Sequence, residues 1–67
     1  MNKDQQLEKH LKVIMDHFKT GDFVFVISKC KKIIKDFKEY VVLYNILGSA
    51  YQKIGEFGFA KENFIKA

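Results

Sequence analysis

Apolar residues recur along this chain at helical spacing, in four runs separated by three polar or glycine-containing breaks. Leu7, Leu11, Ile14 and Phe18 stand at i, i+4, i+7 and i+11, one face of a helix, and Val13 widens that stripe. Asp4 is placed to cap this helix, which runs to about Lys19. Gly21 ends it. Asp22 or a neighbour opens a second helix carrying Phe23, Val26, Ile27, Cys30, Ile33, Ile34 and Phe37, and Asp36 to Glu39 form the next link. Tyr44, Leu47, Tyr51 and Ile54 then fall at i, i+3, i+7 and i+10, predicting a third helix from about Glu39 to Ile54. Gly55 sits just past its last periodic residue, where a left-handed backbone ends a helix cheaply. Phe57, Ala60, Phe64 and Ala67 mark a fourth helix, antiparallel to the third across a short turn.

Gly48 lies inside the third helix, where glycine costs roughly 1 kcal/mol relative to alanine. Close helix-helix approach supplies a reason for it, with Ala60 expected opposite. Shifting the chain by 34 positions aligns Gly21-Asp22-Phe23 with Gly55-Glu56-Phe57, Phe25 with Phe59 and Lys19 with Lys53, without a gap. Where the second copy has Tyr44, Gly48, Tyr51, Ala60 and Phe64, the first has His10, Ile14, His17, Val26 and Cys30. Ile14 against Val26 replaces a small pair by a bulky one, so the first helix pair is expected to sit further apart. By propensity alone Phe23 to Ile27 reads as a short strand. The repeat register favours a helix, and a lone strand in so short a chain has no partner.

The order Tyr44, Leu47-Gly48, Tyr51, Ala60, Phe64, Ala67 resembles the signature of the tetratricopeptide repeat, a helix-turn-helix unit of about 34 residues. On that resemblance the chain is a single domain, 1–67. It is all-α, built of antiparallel helix-turn-helix repeats in an α-solenoid, with a degenerate repeat at 7–40 and a second at 41–67. Lys38 stands where the family typically has proline, so the boundary between repeats is expected to be soft. Stacked repeats of this kind usually number three or more. Ala67 falls about three turns into the last helix, leaving Tyr51, Phe64 and Ile65 without a capping helix. The expectation is therefore a piece of a longer array, in which a catalytic domain is often joined, or a homo-oligomer that buries these faces.

The totals narrow the class further. The chain has 67 residues, and a domain of that size buries only about 60% of its unfolded surface. One cysteine makes no intrachain disulfide, and no Cys or His spacing matches a zinc site, so no metal or cofactor is expected. The stretch MNKDQQLEKH offers no apolar core for a signal peptide, and the five-residue run Phe23 to Ile27 is far below a membrane span. A reducing, cytoplasmic setting away from the membrane fits best. The formal charge of +4 comes from twelve lysines and no arginine. Lysine is a hydrated point charge without the guanidinium fork that reads phosphate and guanine. Lys29, Lys31, Lys32, Lys35 and Lys38 nevertheless cluster, with Lys31, Lys35 and Lys38 on one helical face. That face is either a solvated surface or an attractor for an acidic partner or nucleic acid.

The candidate chemistry is sparse. His10 and His17 share a helical face and, with Asp16 or Cys30, suggest a metal or general-base site. Their alignment with Tyr44 and Tyr51 points instead to packing roles. Cys30, aligned with Phe64, reads as a small buried hydrophobe. The glycines are isolated and form no phosphate loop. Catalysis is not expected. The family resemblance implies instead a concave face formed by the first helix of each repeat, which holds an extended peptide. Here that face would present Leu11, Lys12, Met15, Phe18 and Lys19 from the first repeat and Asn45, Ile46, Ser49, Gln52 and Lys53 from the second. Its mixed apolar and basic character points to a protein or peptide partner that is acidic and hydrophobic. Alternatively, Leu11, Met15 and Phe18 are covered by another part of the molecule. Family members that clamp a C-terminal carboxylate need Lys and Asn where this chain has Leu11 and Met15. The competing function is a basic helical nucleic-acid binder using the Lys29 to Lys38 cluster. It would lose affinity steeply with salt and on the pair of substitutions Lys31→Glu and Lys35→Glu.

Overall fold

The computed structural model describes residues 2–67 as four α-helices: α1 (Lys3–Lys19), α2 (Phe23–Ile33), α3 (Val41–Lys53) and α4 (Phe57–Lys66). No strand occurs among the described residues, and Phe23 to Ile27 is helical. Each helix packs chiefly on its chain neighbours, α1 on α2, α2 on α3 and α3 on α4, in a slab of 37 × 25 × 14 Å. Close backbone approach is most extensive between α3 and α4 and least between α1 and α2, in keeping with Ile14 and Val26 standing where α3 and α4 have Gly48 and Ala60.

The first and third turns share one geometry. Gly21 and Gly55 both take a positive φ, 82° and 83°. The Gly21 amide donates to the Phe18 carbonyl and the Asp22 amide to His17, at 3.1 and 2.9 Å. Thirty-four residues on, Gly55 donates to Gln52 and Glu56 to Tyr51 at the same distances. These bonds satisfy helix-end carbonyls that have no partner within the helix. The side-chain contacts differ. The Asp22 carboxylate accepts from the Phe25 amide at 3.3 Å, whereas the Glu56 side chain makes no capping bond.

At the start of α1, Asn2 rather than Asp4 is the N-cap. Its side chain accepts from the Gln5 amide at 2.8 Å, and the Gln5 side-chain oxygen in turn accepts from the Asn2 amide at 3.3 Å. This reciprocal box satisfies two amides that Asp4, already inside the helix, cannot reach. The second helix also stops earlier than its apolar pattern suggests. It ends at Ile33, and Phe37 lies beyond it, buried in the connection to α3, which begins at Val41 rather than Glu39. Phe37 keeps its core position because the chain turns twice after Ile33, through bonds from the Asp36 and Phe37 amides back to the Ile33 carbonyl.

That connection is held from the N-terminal turn of α1. Lys3 Nζ lies 2.6 Å from the Glu39 carboxylate and 5.6 Å from the centroid of the Phe37 ring, and the Tyr40 hydroxyl donates to Asp4. His10 also meets Phe37, edge-on at 5.8 Å. The boundary that lacks proline is thus pinned by side chains 30 or more residues away in sequence.

The core joins Leu7 and Ile14 of α1, Val26, Cys30 and Ile33 of α2, Phe37, and Leu43, Ile46, Leu47 and Ala50 of α3. Full burial of an Ile, Leu or Val side chain contributes roughly 1.5–3 kcal/mol, so these positions carry most of the stability. Val13, expected to widen the α1 stripe, is 43% exposed. Ile54, expected at the end of the α3 stripe, is its C-cap and 44% exposed. In α4 only Ala60 is buried. Phe57 stands 66% exposed, because α4 has a neighbour on one side only.

Candidate functional site

The residues expected on the concave face come from α1 and α3, and the structure brings five of them together. Met15 and Phe18 of α1 and Asn45, Ile46 and Ser49 of α3 line one groove of about 270 Å³ between the two helices. Helical spacing explains the set: Met15 and Phe18 are three apart on α1, and Asn45, Ile46 and Ser49 occupy adjacent turns on α3. Met15 is open to solvent, while Phe18 is half-buried and packs edge-on against Phe23 at 5.1 Å. Ile46 differs from its expected role. It belongs to the core and lines the groove as a buried residue rather than an exposed contact. Asn45 and Ser49 supply the polar groups on the α3 wall.

The other five candidates do not line this groove. Leu11 is half-buried and packs against the core, which removes it from the binding face. Lys12, Lys19 and Lys53 are exposed outside the lining. Gln52 faces a separate crevice against Phe57, Ala60, Phe64 and Ile65 of α4. The groove itself is therefore apolar with two neutral polar side chains, and the lysines stand apart from it.

The histidines are packing residues with one polar contact. His17 stacks on Phe25 with ring centroids 3.7 Å apart, and its Nδ1 lies 3.2 Å from the Asp22 carboxylate. The aligned pair in the second half, Tyr51 and Phe59, lies 5.3 Å apart. His10 stands two turns away against Phe37. No group of three or more His, Cys, Asp or Glu able to hold a metal occurs among the described residues. Cys30 is fully buried, and burial pushes its thiol up to about 12, so at neutral pH it is protonated and a poor nucleophile.

The lysine cluster is divided by the fold. Lys29 is half-buried, Lys32 and Lys38 are exposed, and only Lys31 and Lys35 line a common groove. Among the described residues no helix is long and apolar enough to cross a membrane. Sequence periodicity missed the roles of Lys3, Asp4 and Glu39 at the α2–α3 connection. Their only signals were opposite charges on Lys3 and Glu39 and a donor–acceptor pair in Tyr40 and Asp4, at positions far apart in the chain. Compared with protein-family models, curated proteins and solved structures, the chain matches none of them.

Proposed function

We propose that the chain is a protein-protein interaction module, a helical scaffold of the tetratricopeptide type without catalysis of its own. Its α1–α3 groove takes a peptide or helix presenting apolar side chains. The observation that carries this reading is the groove itself: Met15, Phe18 and Ile46 provide an apolar floor and wall, and Asn45 and Ser49 provide neutral hydrogen-bonding groups at its edge. Few, well-placed polar groups around an apolar concavity are the usual makeup of a recognition site. The recurrence of one turn geometry at a 34-residue interval supports the repeat reading. The exposed outer face of α4, with Phe57 and Ile65, supports a second part of the proposal: a further helix, of a longer chain or of a second copy, covers it.

The test is selection of peptides from a displayed random library on the intact protein, followed by amide-shift mapping. Selected peptides are expected to shift Met15, Phe18, Asn45 and Ser49 and to lose binding on Ser49→Arg, a half-buried position at the rim. Selected peptides that ignore Ser49→Arg would overturn the assignment of the groove.

A further inference from the structure

A second groove lies on the other side of α3. At the helical repeat, Tyr44, Leu47 and Tyr51 point nearly opposite to Asn45, Ile46 and Ser49. They floor a depression of about 380 Å³ between α2 and α4. Tyr44, Tyr51 and Phe59 give it aromatic walls, and Lys31, Lys35 and Lys66 stand at its edges. None of these three lysines is in an ion pair among the described residues, where the ion pairs are Lys3 with Glu39 and His17 with Asp22. One carboxylate, Glu62, shares the lining. The groove thus holds three cations against one anion, around an aromatic lining in which Tyr44 and Tyr51 are half-buried and Phe59 is exposed.

We propose that this α2–α4 groove is a separate docking surface for an acidic segment of a partner protein that carries a bulky apolar side chain. The apolar side chain seats against Tyr51 and Phe59, and flanking carboxylates meet Lys31, Lys35 and Lys66. Charge complementarity selects this occupant. A second copy of the chain also carries +4 and would bring lysines towards lysines. A polynucleotide would find no guanidinium to fork onto its phosphates, since the chain has no arginine. The proposal is independent of the α1–α3 groove, since the two lie on opposite sides of α3.

The experiment is fluorescence anisotropy with a labelled synthetic peptide of alternating Glu and Leu ending in Phe, beside a labelled single-stranded oligothymidylate of similar charge. Saturable peptide binding is expected, weakened about tenfold by Lys31→Glu with Lys35→Glu and weakened again between low and physiological salt. These lysines are exposed, so circular dichroism of the variant should be unchanged. Ser49→Arg is expected to leave this binding intact, which separates it from failure of the other groove. No saturable binding of the peptide, equal loss on Lys12→Glu with Lys19→Glu, or tighter binding of the oligonucleotide would each overturn the proposal.

Discussion

A Cβ built on Gly48 would lie 2.6 Å from Cε1 and 2.7 Å from Cδ1 of the Phe64 ring, well inside van der Waals contact. The glycine of α3 therefore makes room for the Phe64 ring of α4. An aromatic ring set against a bare helix backbone lets α4 approach α3 closely while leaving the ring 41% exposed. Two opposed effects follow. Gly48→Ala gains about 1 kcal/mol of helix propensity but displaces the ring. Urea unfolding is expected to show Gly48→Ala as destabilising in the wild-type chain and stabilising by about 1 kcal/mol in a Phe64→Ala background. A stabilising effect in both backgrounds would mean that the ring moves aside at no cost. Sequence placed a small residue here for close approach, but that the Phe64 ring fills the space depended on how α4 crosses α3. Cys30 and the histidines were legible for a simpler reason: their alignment with aromatic positions already marked them as packing groups.

Helix starts are secured in three different ways. Asn2 and Gln5 cap α1 reciprocally, Asp22 caps α2 while also meeting His17, and α3 has no side-chain cap at all. Its start is instead fixed by the preceding connection, through Lys3 with Glu39 and Tyr40 with Asp4. The bond to Asp4 raises the Tyr40 phenol to about 12, and the bond from Lys3 lowers Glu39 below the ordinary carboxylate range. A phenol whose folded value is raised stabilises the fold fully below its ordinary value near 10. That contribution is lost as pH rises through about 12. A phenolate absorbance titration of the wild type minus that of Tyr40→Phe is expected to give a transition centred near 12 rather than 10. A difference centred near 10 would mean that Tyr40 and Asp4 do not pair in solution. These links span 36 residues, so no local pattern pointed to them.

In the whole molecule, α4 has α3 on one side and solvent on the other. Phe57 and Ile65 are 66% and 71% exposed, and they flank a crevice with Gln52, Lys61 and Phe64. So much apolar surface on a 67-residue chain favours association. Melting followed by circular dichroism is expected to shift to higher temperature with concentration, and light scattering to show a dimer or larger species. Phe57→Glu is expected to abolish both effects. A concentration-independent melt of a monomer would show that four helices suffice alone and that this face stays open.

What the sequence determined by itself is the all-helical fold, the order of four helices and the two glycine turns. Periodicity and left-handed glycine are local properties, set within about two turns of the chain. Tertiary structure alone decided which side of each helix is covered. Ile46 was drawn into the core at a groove shared with Met15 and Phe18 of α1, whereas Val13, equally apolar, stayed 43% exposed. It also decided that Lys31, Lys35 and Lys66, on two helices, share one groove. Side-chain direction follows from the helix, but its neighbours follow from how helices cross, and crossing depends on contacts distant in sequence.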